Sequence, residues 1–127
     1  MPALAATGAV EDGLTVVAEA LATAKASGAR GADSDLHRLR GELLRHLPSP
    51  DSKEVEACFR TALAVAREQG THGYELRAAV SLARLLGEQG RCAEAGNVLV
   101  PVYRWFTEGF DTPDLRQART LLETLDA

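Results

Sequence analysis

The stretch EQGRCAEAGNVLVPVYRWF, Glu88 to Phe106, decides how this chain is read. It sets a helix stop at Gly90, a small residue at Ala95, and then an apolar stripe through Leu99, Val102 and Tyr103. An earlier stretch, SPDSKEVEACFRTALAVAREQG (Ser49 to Gly70), has nearly the same grammar. With Phe59 placed on Leu99, Val55 falls on Ala95, Ala62 on Val102 and Leu63 on Tyr103. On the helices that precede these, Gly41 and Ala83 are small and are followed one turn later by Leu44 and Leu86. The unit is therefore roughly forty residues with a variable turn, a period that marks a helical repeat. A third, partial copy opens the chain: in TGAVEDGLTVVAEALATA, Gly8 matches Gly90, Gly13 matches Ala95, Val17 matches Leu99 and Ala20 matches Val102. Small residues let helices approach closely, and the larger ones fill the gaps between successive pairs.

Working outward, the apolar positions predict six helices and no strand. Leu14, Val17, Ala18, Leu21 and Ala22 form one face over Glu11 to Ala26, closed by Gly28 and Gly31. Leu36, Leu39, Leu43, Leu44 and Leu47 form the next over Asp35 to Leu47, which stops before Pro48 and Pro50. Asp51 with Glu54 resembles a capping box at the start of the third, which Gly70 closes. Tyr74 to Gln89 and Arg91 to Glu108 follow, with Pro101 expected to bend the latter or loosen its first turns. Thr112 and Pro113 open the last helix as cap and first residue. Short connections predict antiparallel packing of neighbours.

Composition narrows the function classes. A chain of 127 residues has room for one domain. Its 46% apolar and 25% charged residues are those of a folded globular chain rather than a disordered one. A net charge of −4 excludes a nucleic-acid footprint built on global basicity, so any anion site must be local. Nothing approaches the roughly 20 apolar residues of a membrane span, and MPALAATGAVED has neither the basic nor the long apolar region of a signal peptide. A cytoplasmic location is expected. Cys58 and Cys92 lack metal-ligand spacing and are expected to be buried free thiols.

The residues Leu82-Ala83, Leu86, Gly90, Ala95, Leu99 and Val102 resemble the tetratricopeptide repeat. The first copy departs from that pattern at Arg40, where an apolar residue is usual, and by an insertion around LPSP. The longer string from LHRLRGELL through EACFRTALAVAREQG and ELRAAVSLARLL to WFTEGFDTPDL is similar to the C-terminal repeat region of large bacterial signalling proteins. In those proteins an adenylate or guanylate cyclase domain, or a DNA-binding activator domain, precedes a STAND-type ATPase and a helical-repeat tail. The likeness covers about Glu11 to Leu125, and Trp105 to Leu115 is its most specific piece. It implies an all-α, right-handed stack of antiparallel helical hairpins: a partial repeat over 1–30, repeats over 33–70 and 72–108, and a terminal capping helix over 112–125. A chain that begins with the second helix of a hairpin is expected to be an excised fragment or a small stand-alone derivative.

Catalysis is not expected. His37 and His46 are about 180° out of phase on one helix, and no HExxH, no Ser/His/Asp order and no GxxxxGK(S/T) phosphate loop is present. No metal or other cofactor is expected. In stacks of this family the first helix of each hairpin lines a concave groove. Its matching positions are Asp35, Arg38, Glu42 and Arg45 in one repeat, and Arg77, Val80 and Arg84 in the next. Four converging arginines would make a local anion site for an acidic peptide or a partner's C-terminus; the competing reading pairs them with Glu42, Glu75 and Glu88 on a solvated face. The expected function is a non-catalytic protein-interaction or regulatory module. The alternative is a peptide or small-ligand sensor controlling an attached ATPase, cyclase or transcription activator. Direct contact with nucleic acid or a membrane is not expected. Weak homodimerisation is expected through the first helix, whose stripe has no preceding partner. Tyr103, Trp105, Phe106 and Phe110 are expected to form a core lid where the last helix folds back.

Overall fold

The computed structural model describes residues 2–28, 31–47, 51–106 and 113–126. Among them are six helices and no strand: α1 (Pro2–Ser27), α2 (Asp33–Arg45), α3 (Ser52–Gln69), α4 (His72–Glu88), α5 (Cys92–Trp105) and α6 (Pro113–Asp126). The sequence places the boundaries to within a few residues at most ends, while α1 begins well before Glu11. The local chemistry of the ends is as expected where it is described. Asp51 accepts hydrogen bonds from the backbone N–H of Lys53 at 3.0 Å and of Glu54 at 3.4 Å, satisfying donors that a helix start leaves unpaired. Gly70 closes α3 at φ +69°, a left-handed conformation that side chains resist. α5 runs unbroken through Pro101, which with Asn97 lies on its exposed side. Thr112, Pro48 and Pro50 lie outside the described residues.

Each helix packs against the next, and α4 also touches α2 and α6. Side-chain contacts give the directions. Ser34 donates to the Ala62 carbonyl while Arg40 reaches Glu54, so α2 and α3 run antiparallel. Asp35 and Arg45 of α2 meet Arg77 and Glu88 of α4, so those two helices run parallel. Arg77 meets Asp114 and Gly87 faces Leu125, so α6 is parallel to α4 as well. The even-numbered helices thus form one contiguous layer, α2–α4–α6, against which the odd-numbered helices pack.

The repeat is a repeat of burial. Phe59 and Leu99 are completely buried, and so are their aligned neighbours Val55, Ala95, Ala62 and Val102, or very nearly. Val17, the matching residue of the first copy, is buried too. α1 nevertheless presents a narrower stripe than its periodicity predicts: Val10 and Val17 are buried, whereas Ala18 and Ala22 are exposed, because α1 packs against α2 alone. α4 is the opposite case. It is touched by four other helices, and Ala78, Ala79, Leu82, Ala83 and Leu86 are all fully buried.

Two expectations are corrected. Cys58 is buried, but Cys92 is exposed because it is the first residue of α5, off the apolar stripe. The aromatic lid is incomplete: Tyr103 and Phe106 pack against the core, whereas Trp105 is 55% exposed. Its ring stacks on His72 at 3.6 Å between centroids, and Phe106 meets it edge-on. Phe110 lies outside the described residues.

Gly41 provides a direct test of the small-residue rule. A Cβ there would stand 2.6 Å from the ring of fully buried Phe59 and 3.1 Å from Cys58. Gly41→Ala is expected to destabilise the fold by about 1–3 kcal/mol through overpacking, read as a lower urea midpoint. Gly96→Ala, where a Cβ meets nothing within 4 Å, is expected to stabilise α5 by roughly 0.5–1 kcal/mol.

Candidate functional site

Helical spacing brings Arg77, Val80, Ser81 and Arg84 onto one face of α4, and the parallel packing of α2 and α6 on either side turns that face into a groove. The groove encloses about 350 Å³. Arg38 and Glu42 of α2 form one wall, and Asp114 and Gln117 of α6 form the other. Of the seven residues singled out in the sequence, Arg38, Glu42, Arg77, Val80 and Arg84 line this groove. Asp35 and Arg45 flank it through ion pairs with α4.

The arginines differ in how much charge they have to offer. Arg38 Nε donates to Asp35 at 2.9 Å. Arg77 Nε donates to Asp114 at 3.0 Å, an interaction that raises the Arg77 pKa further, and its Nη1 lies 4.0 Å from Asp35. Arg45 is held between the two carboxylate oxygens of Glu88, at 2.6 and 2.7 Å, and lies 3.9 Å from Glu42. Arg67, outside the groove, takes Glu75 at 3.0 Å. Arg84 is different. It is half-buried in the groove and has no hydrogen-bonded or ionic partner among the described residues. Three of the four arginines are therefore already neutralised in place, and the free cationic capacity of the groove is concentrated at one guanidinium about one turn before the end of α4.

Asp114, Gln117 and Ser81 were not singled out in the sequence. The first two lie on α6, read there as a cap. A signal for them existed: Ala118 and Leu121 repeat the small-then-leucine pair of Gly41 with Leu44 and Ala83 with Leu86. Ala118 is fully buried, as Ala83 is. α6 meets both the preceding odd helix and the preceding even helix, as α4 does.

The opposite side of the layer is engaged in structure. Glu56 and Glu94 each bind both Arg60 and Arg91, at 2.7–2.9 Å, in a closed ring of four charges that joins α3 to α5. Arg40 likewise reaches across from α2 to Glu54 at 3.0 Å and to the Cys58 sulfur at 3.1 Å. Burial pushes the Cys58 thiol above its usual range. Among the described residues no group of three His, Cys, Asp or Glu side chains is placed to hold a metal ion, and no helix is long and apolar enough to cross a membrane.

No known protein-family model, no curated protein and no solved structure matches this chain.

The ring of charges has a pH signature. Hydrogen bonds from Arg60 and then Arg91 hold the Glu56 carboxyl below its ordinary value of 4.5. Its stabilising contribution is thus fully present above pH 4.5 and is lost as the pH falls through the lower folded-state value. Glu56→Gln is expected to cost on the order of 0.5 kcal/mol at pH 7, as befits a solvent-screened cluster. Urea unfolding of both forms from pH 7 down to pH ~3 checks this, because the difference between them must shrink in acid.

Proposed function

We propose that the chain is a non-catalytic interaction module: a tetratricopeptide-like, right-handed stack of helical hairpins that binds a segment of a partner protein along the concave face made by α2, α4 and α6. Support for the stack comes from the alternation of antiparallel neighbours with parallel contacts between every second helix, α2 to α4 and α4 to α6. The observation that carries the binding reading is Arg84, a half-buried cation that lines the groove without a partner among the described residues. Desolvating a guanidinium is costly unless it is paired, so an unpaired one facing a groove is poised for an external anion. The neighbouring Arg38–Asp35 and Arg77–Asp114 pairs then serve as a fixed polar wall rather than as competing binding sites. A carboxylate-bearing peptide segment fits this arrangement. By the resemblance of its sequence, the module belongs to a cytoplasmic bacterial signalling protein in which such a tail regulates an attached ATPase, cyclase or transcription activator.

Titration of the chain with fluorescent acidic peptides tests the proposal. Binding is expected to be saturable and to weaken with added salt. Arg84→Ala is expected to lose about tenfold or more in affinity, the value of a charge-assisted hydrogen bond. Arg119→Ala, which removes a surface cation paired within α6, is expected to leave binding unchanged. Equal binding by wild type and Arg84→Ala would refute the assignment.

A further inference from the structure

Arg84 is not confined to one hollow. It also lines two more, of about 250 and 270 Å³, that continue along the α4–α6 seam towards the end of α4. The character of the walls changes on the way. On the Arg77 side they are Arg38, Glu42, Asp114 and Gln117. Beyond Arg84 one hollow is walled by Gly87, Glu88, Cys92, Leu121, Thr124 and Leu125, and the other by Gln117, Thr120, Leu121 and Thr124. Leu121 and Leu125 are only partly buried against the core and so present aliphatic carbon to the seam. Gly87 lets α6 approach α4 closely at that end, where a Cβ would stand 3.0 Å from Leu125. Arg84, which has no ionic partner among the described residues, thus stands between a polar trough and a hollow to which Leu121 and Leu125 contribute aliphatic carbon.

The distances set the spacing of a ligand. From Arg84 to Glu88, at the end of the aliphatic hollow, α4 rises about 6 Å at 1.5 Å per residue. In an extended peptide, side chains two residues apart lie on the same side and roughly 6–7 Å apart. We infer that the groove recognises an extended peptide in which an acidic residue, bound by Arg84, is separated by one residue from an aliphatic side chain that enters the Leu121–Leu125 hollow. This rests on the binding reading of the groove and adds to it a second determinant and a spacing. Charge complementarity supplies the anchor, and the aliphatic residue supplies selectivity among acidic segments, which would otherwise compete equally for a lone guanidinium.

The test uses the intact chain and fluorescence anisotropy with labelled glycine-serine peptides of equal length and charge. One carries Glu and Leu with one residue between them, a second the same pair in reverse order, a third Glu and Leu adjacent, and a fourth Glu alone; octanoate is the competitor. At least one of the two spaced peptides is expected to bind about tenfold more tightly than the adjacent and Glu-only peptides. That advantage should disappear in Thr124→Phe, which fills the aliphatic hollow from an exposed position on α6, and all binding should weaken in Arg84→Ala, with helicity confirmed for both variants. Arg84-dependent binding that ignores leucine and its spacing would overturn this inference and leave the binding groove standing. Absence of binding by every peptide would overturn both. Displacement of the spaced peptide by octanoate at equal concentration would overturn the peptide assignment in favour of a small amphiphilic anion.

Discussion

The close approach of helices around α4 is the constraint on which the rest of the molecule depends. A helix with four neighbours must be narrow on several sides, and α4 meets that demand with Ala78, Ala79 and Ala83, all fully buried, between leucines that reach into the spaces left over. Were those alanines large, α2 and α6 could not both lie against α4. The groove exists because they do: its floor is the side of α4 that the even layer leaves open, and its walls are the two helices held parallel to it.

The two sides of the layer use the same residue types for opposite ends. Behind it, Arg60 and Arg91 share Glu56 and Glu94 in a closed ring, where every guanidinium is matched by a carboxylate. In the groove, pairing is arranged so that Arg38, Arg45 and Arg77 are engaged and Arg84 is not. Counting arginines therefore misjudges both surfaces. What matters is which cations lack a carboxylate within reach, a property of three-dimensional neighbours rather than of spacing along one helix.

This explains how far the chain could be read from its residues. Phe59 with Leu99 and Gly41 with Ala83 exposed the period, because packing constraints recur wherever the same helix pair recurs. The face carrying Arg38, Glu42, Arg77, Val80 and Arg84 was legible for the same reason: helical phase follows directly from the buried stripe. The contribution of α6 was not. Its Ala118–Leu121 pair repeats the earlier ones, yet its separation from α4 is shorter, with Arg77 meeting Asp114 at 37 residues where Arg45 meets Glu88 at 43, so a fixed period misses it. Cys92 and Trp105 were misjudged because both lie at the ends of α5, where the apolar stripe no longer dictates which way a side chain faces.

The attachment of α1 carries one more consequence. Among the described residues this helix packs against α2 and no other helix, with Gly13 set against Leu43. A helix held by one interface opens at a lower free-energy cost than helices held by several. Backbone amides should accordingly exchange with solvent soonest in α1 and latest in α4, with the others between. None of the described residues that line the groove comes from α1. The molecule can breathe at that edge while the groove stays assembled.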